Sequence, residues 1–215
     1  MLIDRYHKAV DELLKKVRET QLGAIKKAGA LVAEAVENGH KVYLGHIVHG
    51  IEMDLIYRGG GPIFYKKYKS GETELKEGDV LFVSSVSGRT KTVVDLAWDC
   101  VQKGVKVIAL TSMAYATQVD PVHESGKKLY EFVDLVLDNC APAAEAMLVV
   151  DGIEAHYAAA SGIASDYIMW SLTSVCVEKM LADGFTPGIL KSANFPGGND
   201  YNKQIIEPHY DKFGW

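Results

Sequence analysis

The sequence predicts an α/β fold built on a doubly wound parallel sheet, and three observations carry that expectation. Short apolar runs at residues 41–44, 80–84, 105–110 and 133–137 alternate with stretches of helical periodicity. The run 80–84 is apolar up to its closing serine, as a strand covered on both faces must be. Between it and Val105, residues 90–103 place Val93, Val94, Ala97 and Val101 on one face, which is strand, helix, strand at the length of a right-handed crossover. A sheet of this kind holds its ligand at the C-terminal ends of its strands.

Taken in order, residues 3–38 come first. Ile3, Tyr6, Val10, Leu13, Leu14 and Val17, then Ile25, Ala28, Val32, Ala35 and Val36, recur at helical spacing opposite Lys, Glu and Arg. This predicts an amphipathic helix or helix pair, with residues 20–23 as the point where it bends or splits and Asn38-Gly39 as its stop. The α/β core is expected over 40–184, and it includes a further helix at 51–57. Residues 155–180 read as a long helix with Ala160, Ala164, Tyr167, Ile168, Leu172, Val175, Cys176 and Met180 on its buried side. Its apolar arc is wide, which predicts a position between the sheet and another subunit, and Gly184 ends it. Residues 185–215, with Pro187, Pro196, Gly197, Gly198 and Pro208, are expected to form an irregular tail. No internal repeat interrupts the pattern, so residues 1–215 read as one domain with helical additions at both ends.

Composition narrows the function. With 215 residues, 48% hydrophobic and 24% charged, the chain is long and apolar enough to fold without disulfide or metal staples. Cys100, Cys140 and Cys176 are widely spaced and odd in number, which reads as buried thiols in a reducing compartment. The first residues lack the order of a signal peptide, and no window reaches 18 uninterrupted apolar residues, so no membrane partner is expected. Net charge is −5, with neither a basic stripe interleaved with aromatics nor a helix-turn-helix, which argues against nucleic acid as a partner. The expectation is a soluble cytoplasmic protein.

Chemistry concentrates in Ser84-Ser85-Val86-Ser87-Gly88-Arg89-Thr90, between the run 80–84 and the helix that follows. A strand that turns sharply into a helix leaves free N–H groups at the helix start, at the positive end of its dipole. Three serines and a threonine add hydroxyls to the same concavity, and Gly88 lets the backbone approach closely. That is the construction of a phosphate cradle. The segment has neither GxxxxGK[ST] nor GxGxxG, so it is not a Walker loop or a dinucleotide fingerprint. Ser87 or Thr90 could simply cap the helix, but capping uses one hydroxyl and this segment holds four.

The run from Asp79 to Thr90, followed by Gly104-Val-Lys-Val-Ile-Ala-Leu-Thr111, resembles the core of the sugar isomerase (SIS) domain family. The pieces Leu137-Asp-Asn-Cys-Ala-Pro142 and Ser192-Ala-Asn-Phe-Pro-Gly-Gly198 are similar to an uncharacterised bacterial subgroup of that family, described as phosphosugar or phosphoheptose isomerases. The resemblance implies a three-layer αβα sandwich with a flavodoxin-like parallel sheet. It also implies a sugar phosphate held at the subunit interface of a homodimer or homotetramer. Carried over by position, Ser85, Ser87 and Thr90 would hold the phosphate through their side chains, with the amides of Val86 and Gly88 beside them.

One segment departs from the family pattern. SIS proteins carry a second Gly- and Ser/Thr-rich loop after the first strand, and here it reads Gly45-His46-Ile47-Val48-His49-Gly50. Gly45 and His46 are candidate sugar contacts, yet the hydroxyls are gone, so either the ligand differs or the contact is lost. His46 and His49 sit at the spacing of a metal-binding pair, with Glu52 and Asp54 as possible completions. Polar lining of a sugar pocket explains the same histidines, and no metal is assigned.

Aldose–ketose isomerisation requires a base that moves a proton between neighbouring carbons. In several SIS isomerases a Glu on the helix matching 51–57 serves, assisted by a His from a later element. That makes Glu52 the first candidate and Asp54 the second, with His49 and His209 assisting; a pair of surface carboxylates is the plainer alternative. Arg89 either meets the phosphate or points to solvent. The amide-rich tail around Asn194 could reach over the pocket, as could His209 from a neighbouring subunit. The expected function is a phosphosugar isomerase working through an enediol without a cofactor. A non-catalytic phosphosugar-binding regulator is the alternative, as is a lyase or deaminase acting on an amino sugar phosphate.

Overall fold

A computed structural model describes residues 1–45 and 48–209 of the chain. Five strands, β1 (Val42–Leu44), β2 (Tyr65–Lys67), β3 (Val80–Ser84), β4 (Lys106–Thr111) and β5 (Leu135–Asp138), form a wholly parallel sheet in the order β2-β1-β3-β4-β5. This is the flavodoxin-like order, which reverses direction between β1 and β3.

Alternation along the strands builds the three layers. Val80 and Phe82 of β3, with Ile108 and Leu110 of β4, face helices α1 (Leu2–Glu37) and α5 (Ser161–Ala182). Leu81, Val83, Val107 and Ala109 face the opposite way, onto Val93, Val94 and Ala97 of α3 (Lys91–Gln102). Successive side chains of a strand point to opposite faces, so the central strands need apolar residues at every position. All five residues of β3 are buried. The expected αβα sandwich is therefore present.

Several boundaries differ from expectation, each for a tertiary reason. The N-terminal segment is one continuous helix through residues 20–23. Gln21 explains this: its Oε1 accepts the Asp138 N–H at 3.1 Å, which docks the weak turn onto the end of β5. The long helix begins at Ser161 instead of 155, because Tyr157–Ala159 is recruited as strand β7 in an antiparallel hairpin with β6 (Ala146–Leu148). Its buried side packs on α1 and the sheet, while Leu181 is 57% exposed and Trp170 and Val177 are only partly buried. The helix expected at 51–57 is a single turn, α2 (Glu52–Leu55), ended by Tyr57 at φ 57°. The tail is not wholly irregular. It carries α6 (Gly198–Tyr201) and a wide turn at Asn202–Ile206, and Ile189 bridges to Pro62.

Candidate functional site

The reversal of strand order leaves a cleft of about 290 Å³ at the C-terminal ends of β1 and β3. One wall is the loop of residues 84–90, contributing Ser84, Ser85, Val86, Ser87 and Thr90; the other holds His49, Tyr115 and Glu145. The loop is locked from inside. Ser85 Oγ accepts the Thr90 N–H at 3.2 Å and shares a hydrogen bond with Thr90 Oγ1 at 2.9 Å, while Thr111 Oγ1 donates to the Ser85 carbonyl at 2.7 Å. Gly88 turns at φ 66°, where a side chain is strained, and a Cβ there would lie 3.1 Å from that of Ala116, on helix α4 (Met113–Ala116).

Two features of this loop bear on ligand binding. Thr90 is the N-cap of α3, yet its own side chain makes no capping bond to the first turn, so simple capping does not account for its hydroxyl. Ser84, only 7% exposed and lining the cleft, has an Oγ buried without a hydrogen-bond partner. A buried hydroxyl left unpaired is costly, and the cleft is where its partner would arrive.

Across the cleft stands a pair that periodicity did not reveal. His49 Nε2 lies 3.1 Å from Glu145 Oε1, and Ser161 Oγ donates to the same carboxylate oxygen. Glu145 follows β5 and His49 follows β1, so 96 residues separate them in sequence. Ser161 is the first residue of α5 and is wholly buried. The only local signal for Glu145 was a lone acid within the apolar stretch Ala143-Ala-Glu-Ala-Met147. Nothing in that stretch indicated that the loop after β5 reaches back to the loop after β1.

The remaining candidates scatter. Gly45 donates its N–H to the Phe82 carbonyl at 2.8 Å, and a Cβ there would lie 2.9 Å from that oxygen, so Gly45 is needed for strand approach. His46 lies outside the described residues. The Gly88 N–H is donated to the Ser85 carbonyl at 2.9 Å, so Gly88 shapes the loop and its amide is committed there. Glu52 lies off the cleft, its side chain 17% exposed and 4.0 Å from Lys67 Nζ, with Oε2 buried and unpaired. Asp54 pairs with Arg58 and accepts the Trp170 Nε1–H at 3.2 Å. Arg89 is half-buried at the start of α3 and does not line the cleft. Asn194 is exposed in the tail, and His209 packs beside Gly188, away from the cleft-lining residues. Among the described residues, no three His, Cys, Asp or Glu side chains converge as metal ligands.

Comparison with known proteins identifies the lineage. The SIS domain family model matches residues 62–112, which hold β2, β3, the serine loop, α3 and β4. A UPF0309 protein of Shouchella clausii is 30% identical over 96% of both chains, and one of Halalkalibacterium halodurans is 33% identical over 95% of this chain and 96% of its own. The chain belongs to the UPF0309 family.

Solved structures extend the likeness at the level of fold. The phosphoheptose isomerase of Francisella tularensis superposes with a TM-score of 0.53 at 17% identity, covering 81% of this UPF0309 chain and 94% of its own. The NanR protein of Vibrio vulnificus, complexed with ManNAc-6P, superposes at 0.54 with 14% identity over 99% of this chain and 70% of that one. This UPF0309 protein thus has the SIS fold shared by phosphosugar isomerases. Among the described residues no helix is long and apolar enough to cross a membrane.

Proposed function

We propose that this protein binds a phosphorylated sugar in the cleft between β1 and β3 and interconverts its aldose and ketose forms. One observation carries the reading. A loop of hydroxyls at the start of α3, including the unpaired Ser84 Oγ, shares a small cleft with a carboxylate. The hydroxyls and the positive helix end suit a phosphate. A group able to accept a proton on the facing wall suits isomerisation through an enediol. Ser85, Ser87 and Thr90 hold the phosphate in this reading, with the Val86 amide beside them. The fold neighbours include a phosphoheptose isomerase and a protein complexed with ManNAc-6P, which supports sugar phosphates as the ligand class. The protein is proposed to work as a homodimer or homotetramer.

A thermal-shift series with five-, six- and seven-carbon sugar phosphates tests binding, because a ligand held only by the native state raises its stability by about 2.7 kcal/mol at 100 times Kd. At least one should stabilise the wild type and none should stabilise the Ser87→Ala, Thr90→Ala double variant, which lacks no helix cap and so should fold. Equal stabilisation of the variant places the phosphate elsewhere. A regulator that binds without reacting would show the shift but no exchange of the sugar C2 proton with deuterated water.

A further inference from the structure

We propose that Glu145 is the catalytic base of this site and that His49 positions it; the inference rests on the isomerase reading above. Among the described residues lining the cleft, Glu145 is the only carboxylate. Glu52 and Asp54 are both turned to other partners, Lys67 in one case and Arg58 with Trp170 in the other.

Glu145 is held with unusual definition. Its Oε1 takes the hydrogen bond from Ser161 and faces His49 Nε2 at 3.1 Å, which leaves Oε2 outside this pair of contacts. Ser161 is the first residue of a 22-residue helix, so the hydrogen bond it donates fixes Glu145 at that helix's N-terminus.

The backbone gives a second, independent sign. His49, Ala144 and Glu145 all adopt the left-handed region, at φ 54°, 58° and 76°. Non-glycine residues held there cost on the order of 1–3 kcal/mol each, and they persist where surrounding structure imposes them. Tyr57, Cys140 and Ala158 share this conformation, but both loops whose side chains meet at the cleft carry it at the residues that meet.

The chemistry closes without an outside oxidant. Glu145 takes the proton from C2 of the aldose phosphate, and the C2–H pair becomes the C1=C2 bond. The C1 carbonyl π pair moves to its oxygen, which is protonated by water. The hydroxyl on C2 then loses its proton to water, its pair forms the C2 carbonyl, and the C1=C2 pair takes the proton back from Glu145 at C1.

The test is proton NMR in deuterated water, with ribose 5-phosphate, arabinose 5-phosphate, glucose 6-phosphate and mannose 6-phosphate as probes, alongside thermal shifts on the same samples. Wild type should exchange the C2 proton of at least one probe. Glu145→Gln should keep the thermal shift with that probe and lose exchange by about 100-fold or more. His49→Gln, which keeps a donor near the Nε2 position, should lose less than His49→Ala. Exchange that survives in Glu145→Gln, or that falls instead in Glu52→Gln, overturns the assignment while leaving the isomerase reading standing. No exchange of any probe by the wild type, despite binding, overturns both.

Discussion

Asp166, half-buried on α5, carries an Oδ1 that is buried without a hydrogen-bond partner. Burial pushes its carboxyl above the ordinary range, and the Arg58 guanidinium draws it only part of the way back. A carboxyl raised in the folded state contributes stability below its unfolded pKa and loses that contribution as pH rises through the folded value. At neutral pH the ionised Asp166 is therefore a net burden. Asp166→Asn should raise the melting temperature at pH 7, by up to about 1 kcal/mol in stability, and the advantage should fade as pH falls below 4. A variant less stable than wild type at pH 7 contradicts this. The thiols behave in a simpler way: all three are free and buried, and burial lifts Cys100 to about 11 and Cys176 to about 12, so neither is a ready nucleophile at pH 7. That inertness was legible from their number and spacing. The Glu145–His49 contact was not, because two polar residues 96 positions apart leave no pattern for periodicity to detect.

At the scale of elements, the packing of α1 on α5 is decided at Gly29. A Cβ there would lie 2.7 Å from the Leu172 carbonyl oxygen and 2.7 Å from Val175 Cβ, so the two helices approach through the missing side chain. Alanine in a helix interior is ordinarily favoured over glycine by about 1 kcal/mol. The clash should outweigh that gain, and Gly29→Ala is expected to lower the urea midpoint, a net loss of about 1–3 kcal/mol in unfolding free energy with an unchanged slope. Gly23 supplies the opposite case within the same helix, since nothing lies within 4 Å of its would-be Cβ. Gly23→Ala should raise the midpoint, a gain of roughly 0.5–1 kcal/mol in unfolding free energy. If both substitutions raise the midpoint, backbone propensity alone governs α1. The apolar stripe along this helix was readable in advance; the side on which α5 would press closely enough to require glycine was not.

For the whole molecule, the proposed oligomer rests on apolar surface that the single chain leaves uncovered. The stripe that buries Leu13 and Val17 continues toward the start of α1, where Leu2 and Ile3 are 41% and 52% exposed. At 1.5 Å per residue a 36-residue helix is about 54 Å long, well beyond the reach of strands of three to six residues. Arg5 donates to the Val149 carbonyl and ties this end to the β6–β7 hairpin, whose Val149, Ile153 and Tyr157 are also exposed. Several large apolar side chains exposed at one end of the molecule suit burial against a second copy. Sedimentation equilibrium at micromolar concentration should return twice or four times the 23.5 kDa chain mass. A single species at the chain mass is the outcome that rejects the assembly.

The sequence by itself determined four of the five sheet strands, the crossover helix and the serine loop of this protein; β2, with Lys66 and Lys67, shows no apolar run. Each depends on neighbours within a few residues: apolar runs that must be covered on both faces, a 3.6-residue stripe, and a strand turning directly into a helix. Tertiary structure alone decided which residues meet. The order β2-β1-β3-β4-β5 opens a cleft where β1 and β3 part, and it brings the loop after β5 within hydrogen-bonding distance of the loop after β1. The same folding recruits Tyr157–Ala159 into a hairpin and starts α5 at Ser161, which is why a serine meets Glu145 there. Local patterns encode which face of an element is buried. The partner on that face is chosen by the packing of the whole chain, and in this protein that choice sets a carboxylate against the hydroxyl loop.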